Sequence, residues 1–290
     1  MTADLNFDRD LASFAGRLDD LTCLVCRAAA AVVAIDPATA ARRRKSDHSF
    51  VTSADEAAQA LLLQGVSEFF PGLPAICEEA TGAPRPAVLG RCFALIDPLD
   101  GTREFLDGRP EFTVNLAVVC AGIAVLGIIA APGFGLLWRG LIGRGAERLR
   151  FDPAHPIAFD DPVPVRTRPQ TPVGIRVAVS RSHLDSNTAA LLARLPVSET
   201  IVCGSSLKFC RVAEGDADLY ARLAPTSEWD IAAGDALLAA AGGVVKKPDG
   251  TAVHYGRASD GFRVPAFLAF GDRAAVRRVI GLGADRRGPP

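Results

Sequence analysis

Residues 92–102 read Cys92-Phe93-Ala94-Leu95-Ile96-Asp97-Pro98-Leu99-Asp100-Gly101-Thr102, an apolar run that ends in two carboxylates and a Gly-Thr turn. The run predicts a buried strand that delivers Asp97 at a fixed point. Pro98 restricts the backbone and Asp100 returns three residues later, so both acids and the Leu99 carbonyl can face one place as oxygen ligands of a hard cation. Gly101 and Thr102 then open a short helix, whose free N–H groups suit a phosphate beside the cation. Asp-Pro and Asp-Gly also make plain turns after strands, so this stretch alone leaves two readings open.

Two more acidic clusters shift the balance toward a metal site. Glu78-Glu79 follows the apolar Leu73-Pro74-Ala75-Ile76-Cys77, and Trp229-Asp230 opens the helix-like Ile231-Ala232-Ala233-Gly234-Asp235-Ala236-Leu237-Leu238. Mg²⁺ and similar ions take a few carboxylates with carbonyls and water. An EF-hand is excluded, because its alternating acids before a glycine are absent.

With 290 residues, 49% of them hydrophobic, the chain can bury a substantial core as one large domain or two joined ones. The 32 basic and 33 acidic residues leave a net charge of −1, which argues against a nucleic-acid polymer or a membrane surface as partner and favours a small molecule. No stretch is long and apolar enough to span a bilayer, and Met1-Thr2-Ala3-Asp4 lacks the start of a signal peptide, so a cytoplasmic protein is expected. The seven cysteines are scattered, and Cys77, Cys92, Cys120 and Cys203 stand in apolar company that predicts buried reduced thiols. Cys23 and Cys26 form a CxxC pair without a second pair at zinc spacing, and read as packing within a helix.

Helical patterns cover about 8–35 and 55–70, and strand-like runs follow at 93–97, 113–120, 124–130 and 135–138. Residues 151–172 carry six prolines and are the expected linker between an N-terminal α+β half, 1–150, and a C-terminal half, 173–290. The second half alternates: strand 173–180, helix 185–195, strand 200–203, helix 206–214, strand 217–221, helix 230–241, strands 244–246 and 266–270, and a helix from Asp272. The fold class is α/β, with an α+β first half and an α/β second half.

The motifs Val51-Thr52-Ser53-Ala54-Asp55, Glu78-Glu79, Asp97-Pro98-Leu99-Asp100-Gly101-Thr102, Trp229-Asp230-Ile231-Ala232-Ala233-Gly234 and Gly242-Gly243 occur in that order over nearly the whole length. In this the chain resembles the inositol monophosphatase superfamily of Mg²⁺-dependent, lithium-sensitive phosphatases, with their layered αβαβα sugar-phosphatase architecture. Arg103-Glu104-Phe105, Glu111-Phe112-Thr113-Val114-Asn115, Ser180-Arg181-Ser182-His183, Gly204 to Cys210 and Ala213 to Asp230 make it more similar to the CysQ-type 3'(2'),5'-bisphosphate nucleotidases. These remove the 3'-phosphate of 3'-phosphoadenosine 5'-phosphate, a by-product of sulfate assimilation, and the sulfated relative is a further expected substrate. Departures are Phe50 where proline is usual, Arg109-Pro110 for asparagine-glycine, and Arg263-Val264-Pro265 near the last strand in place of asparagine-proline.

The resemblance implies roles. Glu78, Asp97 and the Leu99 carbonyl are expected on one Mg²⁺, and Asp97, Asp100 and Asp230 on a second. Lys45 and Asp47 match a loop that brings a movable charge near a third, weaker cation. Asp55 and Thr102 are the expected pair that orients and deprotonates the attacking water, with Glu78 assisting, although Asp55 and Thr102 also suit helix capping. Substrate contacts are implied for Glu78, Leu99, Asp100, Gly101, Thr102 and Asp230 around the phosphate, and for His183, Ser205, Lys208 and Arg222 around the nucleotide. Glu79 is expected beside the ligands rather than among them. A homodimer fits the family. Inositol monophosphatase or fructose-1,6-bisphosphatase activity is the nearest alternative, and a non-catalytic nucleotide or metal sensor, or a CxxC redox protein, lies in other classes.

Overall fold

A computed structural model describes residues 2–44, 50–79, 89–169, 174–182 and 184–284. The first half opens with α1 (Thr2–Gly16) and α2 (Leu18–Val33), then β1 (Arg42–Arg44), β2 (Phe50–Thr52) and α3 (Ser53–Phe69). It continues through β3 (Ala75–Cys77), β4 (Cys92–Asp100), α4 (Thr102–Leu106), β5 (Thr113–Cys120), β6 (Ile123–Ala131), β7 (Leu136–Leu141), β8 (Gly145–Arg150) and β9 (Val163–Val165). The second half runs β10 (Ile175–Ser180), α5 (Ser186–Leu192), β11 (Val197–Cys203), α6 (Leu207–Ala213), β12 (Leu219–Arg222), β13 (Thr226–Ser227) and α7 (Glu228–Ala241). It closes with β14 (Val244–Lys246), β15 (Arg263–Val264), β16 (Phe267–Phe270) and α8 (Val276–Ala284).

Two sheets organise these elements. A seven-stranded sheet runs in order β3-β4-β5-β6-β7-β8-β9, antiparallel except for the parallel β3–β4 pair, and a five-stranded sheet runs β11-β10-β12-β16-β14. Strand alternation decides what each face meets. Ala94, Ile96, Leu116 and Val118 pack with Leu21, Val25, Ala58 and Leu62 of α2 and α3. Leu95, Ala117 and Val119 join the core that contains Leu207 and Phe209 of α6 and Ala233 and Leu237 of α7. On the second sheet Ala178, Tyr220 and Ala269 belong to that same core. Val177, Val179, Leu219 and Phe270 turn to the opposite side and pack with Leu191, Val276 and Val279. The layers are therefore helices, sheet, helices, sheet and helices, as the resemblance implies.

Gly127 and Gly140 let α7 lie unusually close to the first sheet. A β-carbon on Gly127 would stand 2.1 Å from the Ala233 carbonyl oxygen, and one on Gly140 would stand 2.8 Å from Leu237 Cα. Glycine is the residue that permits such an approach.

Several expectations are refined. The helix expected over 8–35 is two helices, because Arg17 has φ −114° and ψ 9°, outside the helical region. Residues 145–150 form β8, which the charged Glu147-Arg148 and Arg150 hid from an apolar pattern. The proline-rich stretch contributes β9, whose Val163 and Val165 pair with Arg148 and Ala146.

One expectation is overturned: Cys92 and Cys120 are not free thiols but a disulfide. Antiparallel pairing of β4 and β5 sets them directly opposite each other, with a Cα–Cα distance of 4.1 Å. Apolar neighbours signal burial but carry no information on register, so the pairing was invisible locally. Cys23, Cys26, Cys77, Cys203 and Cys210 are free. Burial pushes the Cys26 and Cys77 thiols up to about 12, as expected of packing thiols. No described helix is long and apolar enough to cross a membrane.

Candidate active site

The pairing of β4 with β5 explains how two acids three residues apart come to face one cavity. Asp97 lies opposite Asn115 and Asp100 opposite Thr113, so three steps on β4 are matched by two on β5. Strict alternation would send residues 97 and 100 to opposite faces of the sheet. The extra residue is a bulge at Pro98-Leu99, and it re-aims Asp100 so that both acids line the same cavity of about 430 Å³. Inside the bulge the Leu99 amide donates to Asp97 Oδ1 at 3.2 Å, and the Thr102 hydroxyl donates to the Leu99 carbonyl at 3.2 Å. Gly101, at φ +92°, turns the chain from strand into α4.

Glu78 reaches the same place from the neighbouring strand. β3 runs parallel to β4 with Cys77 opposite Ile96, and the Glu78 amide donates to the Ile96 carbonyl at 3.1 Å. Asp230 arrives from the second half as the third residue of α7. Its Oδ2 accepts the Ser227 amide at 3.0 Å and the Thr226 hydroxyl, an arrangement that caps the helix and fixes the carboxylate. Carboxylate oxygens of Glu78, Asp97 and Asp230 all lie within 4.8 Å of one another.

Asp100 is bound differently. Its Oδ2 accepts the hydroxyls of Ser205 at 3.0 Å and Ser206 at 2.9 Å, both from the second half. Ser206 Oγ also accepts the side-chain amide of Asn115 at 3.0 Å and lies 3.2 Å from the Asp230 carbonyl. Ser205, at φ +52°, shares a hydroxyl contact with Thr113. Ser206 and Asn115 escaped the sequence reading as site residues. A signal existed, since Asn115 is the one amide in the otherwise apolar Val114-Asn115-Leu116-Ala117-Val118-Val119.

This concentration of acid has an electrostatic cost. Burial pushes the Asp97 carboxyl well above the usual range, and the neighbouring Glu78, Asp100, Asp230 and Asp55 push it further. Asp230 is raised by burial and by Asp100, opposed by its bonds to Ser227 and Thr226. Carboxylates crowded out of water in this way fit a divalent cation, whose charge removes the repulsion, and the all-oxygen donor set fits Mg²⁺.

Asp55 is not among the residues that line the cavity. It is buried, and its Oδ2 accepts the Thr52 amide at 2.7 Å and the Thr52 hydroxyl at 2.6 Å, while Thr52 Oγ1 caps α3 at the Ala54 amide. Glu79 is buried too, outside the residues that line the cavity. Lys208 lines the cavity, but its buried ammonium donates to the Ser205 carbonyl at 2.5 Å and lies 5.2 Å from the Tyr220 ring centroid. Arg222 also lines it, half-buried, and donates to the Pro225 carbonyl at 3.4 Å. His183, Lys45 and Asp47 lie outside the described residues. Bonds between the halves brace the site: Arg181 pairs with Glu111 at 2.5 and 2.8 Å, and Ser182 donates to Glu104 at 2.5 Å.

Residues 20–269 match the model of the inositol monophosphatase family. The chain belongs to that family. Among curated inositol monophosphatase relatives, the 3'(2'),5'-bisphosphate nucleotidase CysQ of Salmonella typhimurium is 38% identical over 217 residues, covering 73% of this chain and 82% of that protein. CysQ of Escherichia coli K12 is 37% identical over 216 residues, 73% of this chain and 81% of that one. The crystal structure of CysQ from Bacteroides thetaiotaomicron aligns with a TM-score of 0.73 and 28% identity, covering 89% of this chain and 98% of that one. The present chain is thus a phosphatase of the inositol monophosphatase family, and its cavity of acids lies on the layered fold that those neighbours share.

Proposed function

We propose that the chain is a Mg²⁺-dependent 3'(2'),5'-bisphosphate nucleotidase that hydrolyses 3'-phosphoadenosine 5'-phosphate to AMP and phosphate, a reaction that recycles a by-product of sulfate assimilation. The observation that carries the reading is the convergence of Glu78, Asp97 and Asp230, from three separate elements, within 4.8 Å. Bound Mg²⁺ supplies charge to the phosphoryl oxygens and lowers the pKa of water.

The residues divide the remaining work. Glu78, Asp97, Asp230, Asp100 and the Leu99 carbonyl offer the oxygens that hold the cations. Thr102, fixed through its bond to the Leu99 carbonyl, orients the attacking water together with Asp55, which lies near enough to Asp97 to raise its pKa. The amides after Gly101 receive the phosphate. Ser205 and Ser206 hold Asp100, so the acid set keeps its geometry when substrate enters. Lys208 fixes the loop at Ser205, and Arg222 adds a cation to the wall.

Turnover of 3'-phosphoadenosine 5'-phosphate, inositol 1-phosphate and fructose 1,6-bisphosphate, each with Mg²⁺ and with chelator, tests this reading. A preference for the nucleotide that disappears with chelator is expected. A large preference for either sugar phosphate overturns the substrate assignment.

A further inference from the structure

Among the described residues, two groups of side chains bring three metal-ligating atoms within 4.8 Å of one another. Glu78, Asp97 and Asp230 are the first. The second, Asp10, Cys92 and Cys120, stands at the other end of β4, about 17 Å along the strand from Asp97. Its donors are two sulfurs and one carboxylate, a set that selects zinc-type cations over Mg²⁺. Asp10 Oδ2 lies 3.6 Å from Cys92 Sγ, although a disulfide has no proton to offer it. Cys120 is buried, whereas Cys92 and Asp10 are partly exposed, so a cation and a water can reach the group.

The sheet keeps the two cysteines together whether or not they are bonded. β4 and β5 pair without a break from Cys92–Cys120 through Asp97–Asn115, with β3 and β6 on either side. A dithiol reductant breaks the S–S bond by supplying two electrons and two protons, both sulfurs become thiols, and the reductant closes its own disulfide. The thiols then still face each other across the strand pair. Opposite residues on antiparallel strands hold their Cβ atoms about 4.5–5.5 Å apart, and two sulfurs on a tetrahedral zinc ion lie about 3.8 Å apart, a difference that side-chain rotation spans. Two thiolates and a carboxylate exceed the charge of a divalent ion by one. Arg91 matches that excess, and its Nε donates to Asp10 Oδ2 at 3.0 Å, which orients the carboxylate.

We propose that in the reduced protein Cys92, Cys120 and Asp10 form a second metal site, for a zinc-type divalent cation with water in the fourth position. Such an ion ties α1 to the paired ends of β4 and β5, and oxidation to the disulfide abolishes the site.

The test uses the full chain reduced with a phosphine, which takes oxygen from water as it is oxidised and leaves no thiol to compete for metal. Co²⁺ is titrated in with Mg²⁺ in excess to occupy the acids. Charge transfer from thiolate to cobalt gives an absorption band that the all-oxygen active site cannot produce. The reduced parent is expected to develop this band, saturating at about one Co²⁺ per chain, and to lose it when Zn²⁺ is added. The oxidised parent, Cys92→Ser and Cys120→Ser should lack it, with circular dichroism showing the parent fold in each variant. Asp10→Ala should weaken Co²⁺ binding about tenfold or more. A reduced parent without the band, a band that survives in the oxidised parent or in either serine variant, or equal affinity in Asp10→Ala overturns the site.

Discussion

Asp100 accepts the Ser206 hydroxyl at 2.9 Å, a bond that crosses from the strand of one half to the start of a helix in the other. The same Ser206 oxygen receives the Asn115 amide and touches the Asp230 carbonyl, so one hydroxyl ties together β4, β5 and α7. Ser206→Ala should therefore cost kcat about tenfold while KM changes little, and should lower stability by about 1–2 kcal/mol through unmet polar partners. Steady-state kinetics and urea unfolding measure the two effects. A change confined to KM would contradict a role in holding Asp100.

Asp100→Asn removes charge while keeping shape. Phosphate release should collapse by at least a hundredfold, and circular dichroism should show the parent fold. Equal activity in variant and parent would sink the proposed chemistry.

Cation binding should depend on pH in a definite direction. Asp97 and Asp230 hold their protons to higher pH than ordinary carboxylates, first through burial. A cation must displace those protons, so its affinity weakens as pH falls. The rise in melting temperature caused by Mg²⁺ should be larger at pH 8 than at pH 6. A shift independent of pH between these values would count against the acids as ligands.

Asp235 offers a second pH signature, outside the acid cluster. Burial pushes its carboxyl up to about 7, while a hydrogen bond from the Tyr255 hydroxyl at 2.8 Å pulls the other way. Its folded pKa thus exceeds its unfolded one, so folding takes up a proton between about 4 and 7. Stability from this group falls as pH rises through that window and is level above it. Asp235→Asn should flatten the slope, as read by unfolding at pH 5 and pH 8 with Mg²⁺ held constant.

Gly127→Ala tests the seating of α7. The added carbon would collide with the Ala233 carbonyl, and helix or sheet must move. A loss of about 3 kcal/mol is expected, with a parallel loss of activity because α7 carries Asp230. Unchanged stability would mean that the helix lies further from the sheet.

The acid set and the layer order were legible because both are written locally. A strand ending in Asp97 and a helix opening at Asp230 each carry their own signal, and the order of motifs did the rest. What stayed hidden depends on register. The Cys92–Cys120 disulfide needs the pairing of β4 with β5, and the bracing of Asp100 by Ser206 needs the second half folded over the first. β8 was missed because Gly145-Ala146-Glu147-Arg148-Leu149-Arg150, which buries Ala146 and Leu149, has neither an apolar run nor a strict alternation. The Lys208 ammonium lines the cavity while donating to the Ser205 carbonyl, a tether that depends on the loop's backbone and carries no local signal.

The bulge at Pro98-Leu99 makes the spacing between Asp97 and Asp100 a matter of counting rather than composition. Inserting one residue between Thr113 and Asn115 on β5 would match three steps with three, restore strict alternation on β4 and turn Asp100 toward α2 and α3, with every acid still present in the sequence. A chain can therefore keep all its acids and lose the site through a single change of parity.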